Sequence, residues 1–177
     1  MVDEEQVVLV DEGGTPIGTA AKSAVHTTDT PLHLAFSCHV ARPDGRVLVT
    51  RRALDKRTWP GVWTNSFCGH PGPGEDLEEA LRRRARHELG IEVADIRPIL
   101  PDFRYRAVDA AGIVENEICP VFAATTTDAP APRADEIAEY RWVSPVDLAV
   151  AARATPWAFS PWLVLQLAAL TAEPVAS

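Results

Sequence analysis

The stretch GHPGPGEDLEEALRRRARHELGI, Gly69–Ile91, joins a Gly/Pro loop to an amphipathic segment. From residue 75 onward the apolar side chains recur at helical spacing and form one stripe, made of Leu77, Ala80, Leu81, Ala85 and Leu89. Gly90 suits the C-cap of such a helix. Glu88 follows Arg84 by one turn, which places it beside the buried stripe rather than on the far face. The stretch therefore predicts a loop followed by a helix over 75–89 that packs on a core.

Segments of β character lie on both sides of this helix. Before it, EQVVLVDEGGTPIGTA and HLAFSCHVARPDGRVLVTRR each read as two strands joined by a turn. After it, we expect one strand in IRPILPDFRYRAV, one in GIVENEICPVFAATT and one in EYRWV. Because the strands do not alternate regularly with helices, the pattern predicts an α+β fold rather than a βαβ series.

The C-terminal part of the chain carries two further helix signals. Ser144 and Pro145 suit the N-cap and first residue of a helix that continues over 146–154. The segment SPWLVLQLAAL starts a last helix in the same manner, and 125–136 is expected to be a loop. The length of 177 residues suits one domain covering 1–177.

Composition narrows the class of protein. The chain is 46% apolar and 24% charged, and no apolar run approaches the roughly 20 residues that span a bilayer. Its acidic start, MVDEEQVVLV, differs from the basic start of a secretion signal, so we expect a cytoplasmic protein without a membrane partner. Three cysteines are too few and of the wrong parity for a disulfide framework.

The charge distribution indicates the kind of partner. A net charge of −8 disfavours nucleic-acid binding, which requires a basic face. The basic residues are nevertheless clustered in two short stretches, 51–57 and 82–86. Each can be ordinary solvated charge, but together they would suit a small anion.

Two pairs of side chains are spaced to share a face of a strand. Glu115 and Glu117 are two apart in VENEI, and Cys68 and His70 are two apart after VWTNSF. Neighbouring carboxylates repel unless a cation or a shared proton neutralises them, although a solvated polar face is the commoner explanation of a lone ExE. A buried space-filler is the commonest role of a free cysteine, and a metal ligand or a reacting group are the alternatives for Cys68.

Histidines add to this set. His26 and His33 flank TTDTPL, in which Pro31 excludes a continuous helix, so a loop closing around a ligand is one interpretation and two structural histidines the other. Three histidines with two glutamates would suit Mn²⁺, Zn²⁺ or Fe²⁺. On the helix, Arg84 and Glu88 are either a surface ion pair worth about 0.2–0.5 kcal/mol or a phosphate contact and a Mg²⁺ ligand.

The opening stretch resembles the Nudix box, G-x5-E-x7-R-E-U-x-E-E-x-G-U, in which U is aliphatic. Matching positions are Gly69, Glu75, Arg83, Glu88, Gly90 and Ile91, with Ala85 a weaker match. Arg84 and His87 stand where the box has two glutamates. Losing two carboxylates removes much of the charge that gathers catalytic metals, so we expect diphosphate binding to persist and diphosphate cleavage to be lost.

With this altered box, HLAFS, TWPGVWTNSFCGHP, FRYRA, ENEI and SPW together resemble the type I isopentenyl-diphosphate isomerases, from about Val8 to Leu170. The resemblance implies a Nudix-like α/β/α sandwich with a mixed sheet, and an enzyme that moves a double bond through a tertiary carbocation. It also implies a small isoprenoid diphosphate as substrate and a monomer or weak homodimer. A Nudix hydrolase of nucleoside or isoprenoid diphosphates is the alternative, and a non-catalytic diphosphate sensor a further one.

The resemblance also implies roles for individual residues. Cys68 and Glu117, the latter with Tyr105, would transfer protons on opposite faces of the double bond, with Glu117 and Tyr105 expected on the donor side and Cys68 as the base. Mn²⁺ or Zn²⁺ would bind to His26, His33, His70, Glu115 and Glu117. Mg²⁺ would bind with the substrate diphosphate at Glu88 and the main chain of Cys68. Further contacts to the substrate would come from Lys22, Arg52, Lys56, Arg84 and Trp162.

Overall fold

The computed structural model describes residues 5–172. Within this range the chain forms twelve strands, four α-helices and one 3-10 turn, Pro156–Ala158. The helices are α1 (Lys22–Val25), α2 (Leu77–Leu89), α3 (Pro145–Ala154) and α4 (Pro161–Thr171). The strands are β1 (Gln6–Val10), β2 (Pro16–Ala21), β3 (His33–Leu34), β4 (Phe36–Ala41), β5 (Val47–Arg52), β6 (Trp63–Thr64), β7 (Phe67–Gly69), β8 (Ala94–Leu100), β9 (Arg104–Val108), β10 (Val114–Ile118), β11 (Val121–Thr125) and β12 (Ile137–Val143).

The strands form two mixed sheets, which confirms the predicted α+β class. The first sheet has the order β2-β1-β3-β10-β9, and the second has the order β12-β5-β4-β11-β8 with β6 beside β5 and β7 beside β4. Each sheet contains one parallel pair, β3 with β10 in the first and β4 with β11 in the second. The parallel pairs bring segments that are distant in sequence to the same place.

Two segments that were each predicted as one strand contain two strands. The chain leaves the second sheet after β8 and enters the first at β9, and it returns between β10 and β11. Pro101 and Pro120 lie at these crossings. Proline has no N–H to continue a ladder, so both strands end where the chain changes sheets.

Helix α2 begins at Leu77, two residues later than predicted. The Asp76 side chain is the N-cap and accepts from the Glu78 N–H at 2.8 Å. Gly90 ends the helix in the left-handed conformation, φ 64°, as expected for a C-cap glycine. A Cβ on Gly69 would lie 2.6 Å from the Phe36 ring and 2.7 Å from Arg84 Cγ, so only glycine lets β7 lie this close to α2.

The main core lies between α2 and the second sheet. Leu81, Ala85 and Leu89 of the predicted stripe are completely buried there with Phe36 and Phe67. The predicted N-caps of α3 and α4 are present, since Ser144 and Ser160 each accept a backbone hydrogen bond. No helix within residues 5–172 combines the length and the apolar character required to cross a bilayer.

Candidate active site

A cavity of about 380 Å³ is enclosed by side chains from both sheets and from α1, α2 and α4. Its wall contains every residue predicted for the site except His33, which lies directly behind it: Lys22, His26, Arg52, Lys56, Cys68, His70, Arg84, Glu88, Tyr105, Glu115, Glu117 and Trp162. The fold therefore brings segments from residue 22 to residue 162 to a single cavity.

A histidine–glutamate cluster lies at one side of this cavity. Ligand atoms of His26, His33, His70 and Glu117 all lie within 4.8 Å of one another. The parallel pairing of β3 with β10 places His33 opposite Glu117, and the alternation along β10 buries Glu115 on the same face. Strand pairing thus accounts for the convergence of side chains that sequence spacing alone could not establish.

The atoms of this cluster fit a divalent metal ion. Four buried atoms make no hydrogen bond of good geometry within residues 5–172, although the first and last of them lie 2.9 Å apart: His26 Nε2, His33 Nε2, His70 Nδ1 and Glu115 Oε2. His33 Nδ1 lies 2.9 Å from the Pro31 carbonyl oxygen, which selects the tautomer with a free Nε2. Buried polar atoms normally have partners, and converging imidazole and carboxylate donors are the ligands that divalent transition metals bind.

Thr58 is not a member of the cluster but orients Glu115 by a hydrogen bond. Its hydroxyl donates to Glu115 Oε1 at 2.8 Å, while Glu115 Oε2 lies 2.9 Å from His26 Nε2. Arg52 donates to the Thr58 carbonyl at 2.8 Å and so fixes this segment. Sequence reasoning missed Thr58, because nothing distinguishes it from other polar loop residues.

The cluster sets the protonation of Glu117. Burial alone would raise the pKa of this carboxyl, but the imidazoles of His33 at 3.5 Å and His70 at 3.2 Å hold it well below its ordinary value. The same contact raises the pKa of His33 despite the opposing effect of burial. Glu117 is therefore ionised at neutral pH.

Cys68 and Tyr105 contribute protonated groups to the cavity. Burial raises the pKa of the Cys68 thiol to about 12, and burial with the nearby Glu117 charge raises that of the Tyr105 phenol well above its ordinary value. Tyr105 is the cross-strand partner of Glu117 in the β9–β10 pair. At neutral pH the cavity thus presents the protonated Cys68 and Tyr105 beside the ionised Glu117.

Aromatic rings line another part of the wall. The Trp162 ring lies 5.7 Å from Tyr105 and 5.6 Å from Trp59, measured between ring centroids. The Arg52 guanidinium lies 5.3 Å from the centre of the Trp162 ring. Such a ring presents its negative face to cations.

Basic residues and carboxylates form the remaining wall. Arg84 pairs with Glu88 inside the protein, so the interpretation of a surface ion pair is wrong. Burial would lower the pKa of Arg84, but Glu88 and a residue missed by the sequence reasoning, Glu136, raise it above its ordinary value. Glu136 also pairs with Lys56. It precedes β12, and no sequence pattern singled it out.

The other cysteines and histidines lie outside the cavity wall, as expected for structural residues. Cys38 is part of the main core, and Cys119 packs in a smaller cluster with Tyr105 and Trp162. His39 contacts Gln166, and His87 is exposed on α2.

Comparison with known proteins is consistent with this site. The NUDIX domain model matches residues 31–163. The chain is 67% identical to the isopentenyl-diphosphate Delta-isomerase of Agromyces mediolanus over 92% of its own length and 79% of that protein. It is 62% identical to the enzyme of that name from Clavibacter michiganensis subsp. michiganensis, covering 97% of this chain and 89% of the relative.

Solved structures share the fold at much lower identity. The Deinococcus radiodurans protein DR0079 superposes with a TM-score of 0.73 at 21% identity, over 94% of this chain and 99% of the other. A MutT protein from Methanosarcina mazei gives 0.63 at 19% identity, over 82% and 97%. These two show the Nudix fold, and the closer relatives show the family: the chain belongs to the Nudix-domain isopentenyl-diphosphate Delta-isomerases.

Proposed function

We propose that this protein converts isopentenyl diphosphate into dimethylallyl diphosphate by adding a proton at one carbon and removing another proton from a second carbon. One observation carries the proposal. Cys68, Tyr105 and Glu117 line the same cavity as Trp162 and the basic residues around Glu88. A single cavity thus offers proton donors, an ionised acceptor, an aromatic ring and cationic side chains.

We base the proposed order of proton transfer on the protonation states of Cys68 and Glu117 in the resting cavity. An alkene is a very weak base, so the donor must be held close to carbon and shielded from water. We propose that Cys68, which holds its proton at neutral pH, donates first and that the ionised Glu117 accepts, with Tyr105 relaying the proton. This order is the reverse of the one expected from the sequence. The cationic intermediate would lie against the Trp162 ring.

Two metal sites accompany this proposal. Mn²⁺ or Zn²⁺ would be held by His26, His33, His70, Glu115 and Glu117, and Mg²⁺ with the substrate diphosphate would be held by Glu88 and the main chain of Cys68. The metals would supply positive charge that keeps Glu117 ionised and neutralises the phosphate oxygens.

The basic residues complete the substrate contacts. Lys22, Arg52, Lys56 and Arg84 line the cavity and would bind the diphosphate. Arg84 occupies a box position that carries a glutamate in the Nudix pattern, and it neutralises Glu88 instead of adding to its charge. This exchange of charge favours holding the diphosphate over cleaving it.

The test is incubation of isopentenyl diphosphate with the protein and Mg²⁺ in D₂O, followed by NMR. We expect dimethylallyl diphosphate that contains solvent deuterium, and no turnover in Cys68→Ala or Glu117→Gln. Normal turnover in Cys68→Ala would contradict the proposed chemistry. Release of inorganic phosphate or pyrophosphate instead of isomerisation would favour the hydrolase alternative.

A further inference from the structure

Behind the cavity wall lies a chain of polar side chains that ends at Cys68. Ser37 on β4, Asn65 between β6 and β7, and Gln166 on α4 are each completely buried. None of these three is among the described residues that line the cavity. Burying three polar side chains is costly unless their hydrogen bonds are satisfied, so the contacts they make are informative.

The first part of the chain leaves the hydrogen of the Ser37 hydroxyl free to point towards sulfur. Gln166 Oε1 lies 2.9 Å from His39 Nε2, which orients the amide so that its Nε2 donates to Ser37 Oγ at 2.9 Å. Since Ser37 Oγ already accepts this bond, its own hydrogen is available to sulfur. Cys68 Sγ lies 3.3 Å away and Cys119 Sγ 3.4 Å away.

Asn65 holds the other side of the thiol. Its Oδ1 accepts from Cys68 Sγ at 3.3 Å, from Trp162 Nε1 at 3.1 Å and from the neighbouring Thr64 hydroxyl at 2.9 Å. Its Nδ2 donates to the Cys38 carbonyl at 3.1 Å and to the Phe67 carbonyl at 2.7 Å, so the amide cannot rotate freely. One oxygen atom therefore fixes both a thiol and an indole that face the cavity from different elements.

We infer that Ser37, Gln166 and Asn65 are positioning residues that hold Cys68 Sγ and the Trp162 indole in the geometry required for proton transfer. A cysteine side chain can rotate among three staggered rotamers, and its sulfur makes only weak hydrogen bonds. A donor on one side and an acceptor on the other select one position for the sulfur. The inference rests on the proposed function, in which Cys68 reacts with substrate.

The test compares steady-state turnover of isopentenyl diphosphate in matched variants. Ser37→Ala should lower kcat about 10-fold and leave KM within about 2-fold, because the sulfur is displaced from the reacting carbon while diphosphate binding is intact. Ser37→Thr, which keeps the hydroxyl, should recover most of the loss. Gln166→Leu should lower kcat as much as Ser37→Ala does. Because both residues act through one chain of hydrogen bonds, kcat of the double variant should be no lower than that of the less active single variant.

Cys38→Ala is the matched control, because Cys38 is a buried thiol beside Ser37 on β4 whose side chain packs in the main core and takes no part in this chain of hydrogen bonds, and its turnover should equal that of the wild type. A loss in this variant as large as in Ser37→Ala would overturn the inference. Unchanged kcat in Ser37→Ala, or a rise in KM alone, would also overturn it.

Crystal structures of the wild type and of Gln166→Leu test this inference independently of the proposed function. We expect one Cys68 rotamer in the wild type and more than one in Gln166→Leu, whether or not the protein turns over isopentenyl diphosphate. The same single rotamer in both proteins would overturn the positioning role. A wild-type protein that does not isomerise the substrate would overturn the proposed function alone.

Discussion

Arg84 Nε donates to Glu88 Oε1 at 3.0 Å within helix α2, and both side chains are buried. The same helix carries a second Arg–Glu pair at the same spacing, Arg82 with Glu78, in which Glu78 is exposed and Arg82 is half-buried with a further hydrogen bond to the Val93 carbonyl. The two pairs have the same chemistry and differ in their contact with water. They therefore provide a direct comparison of a buried and a solvated ion pair.

Replacing Arg84 by Met should destabilise the protein far more than replacing Arg82 by Met. Arg84→Met leaves the Glu88 carboxylate buried without its cation, and we expect the free energy of unfolding to fall by about 3 kcal/mol. Arg82→Met should cost less than about 1 kcal/mol. Urea unfolding at neutral pH measures both, and equal losses would show that the burial of Arg84 has no energetic consequence.

Removing divalent metal should lower the thermal stability of the folded protein. A metal at 100 times its dissociation constant stabilises the native state by about 2.7 kcal/mol, which chelation would abolish. Calorimetry should show recovery of Tm when Mn²⁺ or Zn²⁺ is restored. His26→Ala should show no recovery, whereas the control His87→Ala, changed at an exposed site on α2, should behave as the wild type. An identical response in His26→Ala would exclude His26 as a ligand.

Stability should fall in acid partly through Glu136. Burial opposes ionisation of this carboxyl, but Lys56 and Arg84 outweigh it and lower its pKa below the ordinary value of 4.5. A lowered folded-state pKa means that the stabilisation is complete above pH 4.5 and is lost as the pH falls through the folded value. Denaturant unfolding between pH 7 and pH 3 should show a shallower loss in Glu136→Gln. A parallel loss would contradict this assignment.

Trp162→Leu should slow turnover more than Trp162→Phe. A ring that faces a cationic intermediate contributes about 0.5–2 kcal/mol, or roughly 2- to 30-fold in kcat, and phenylalanine retains part of this effect. Trp157 is 81% exposed, so Trp157→Leu serves as the control with wild-type kinetics. Equal kcat in the Leu and Phe variants at position 162 would show that the ring face is not used.

Local signals predicted the helices better than the strands. The caps at Ser144, Ser160 and Gly90 depend on side-chain or backbone properties that the sequence displays directly. The number of strands after α2 was wrong, because crossing between sheets depends on tertiary packing. Pro101 and Pro120 were the available signals for those crossings.

The candidate site shows the same difference between features with a local sequence signal and features that depend on tertiary packing. The residues that carry distinctive chemistry, such as Cys68, His70 and Glu117, were predicted and line one cavity or its edge. Their buried supports, Asn65 and Gln166, were missed because the spacing of an asparagine or a glutamine does not report a hydrogen-bond partner far away in sequence.

The parallel pairing of His33 with Glu117 has a consequence for the synthesis of the protein. Glu117 is made 47 residues after His70 and is the last of the four clustered ligands to leave the ribosome. Because β10 lies between β3 and β9 and carries Glu117, a nascent chain that ends before β10 cannot form the complete cluster. The complete metal site that we propose would therefore form late, after most of the polypeptide has emerged.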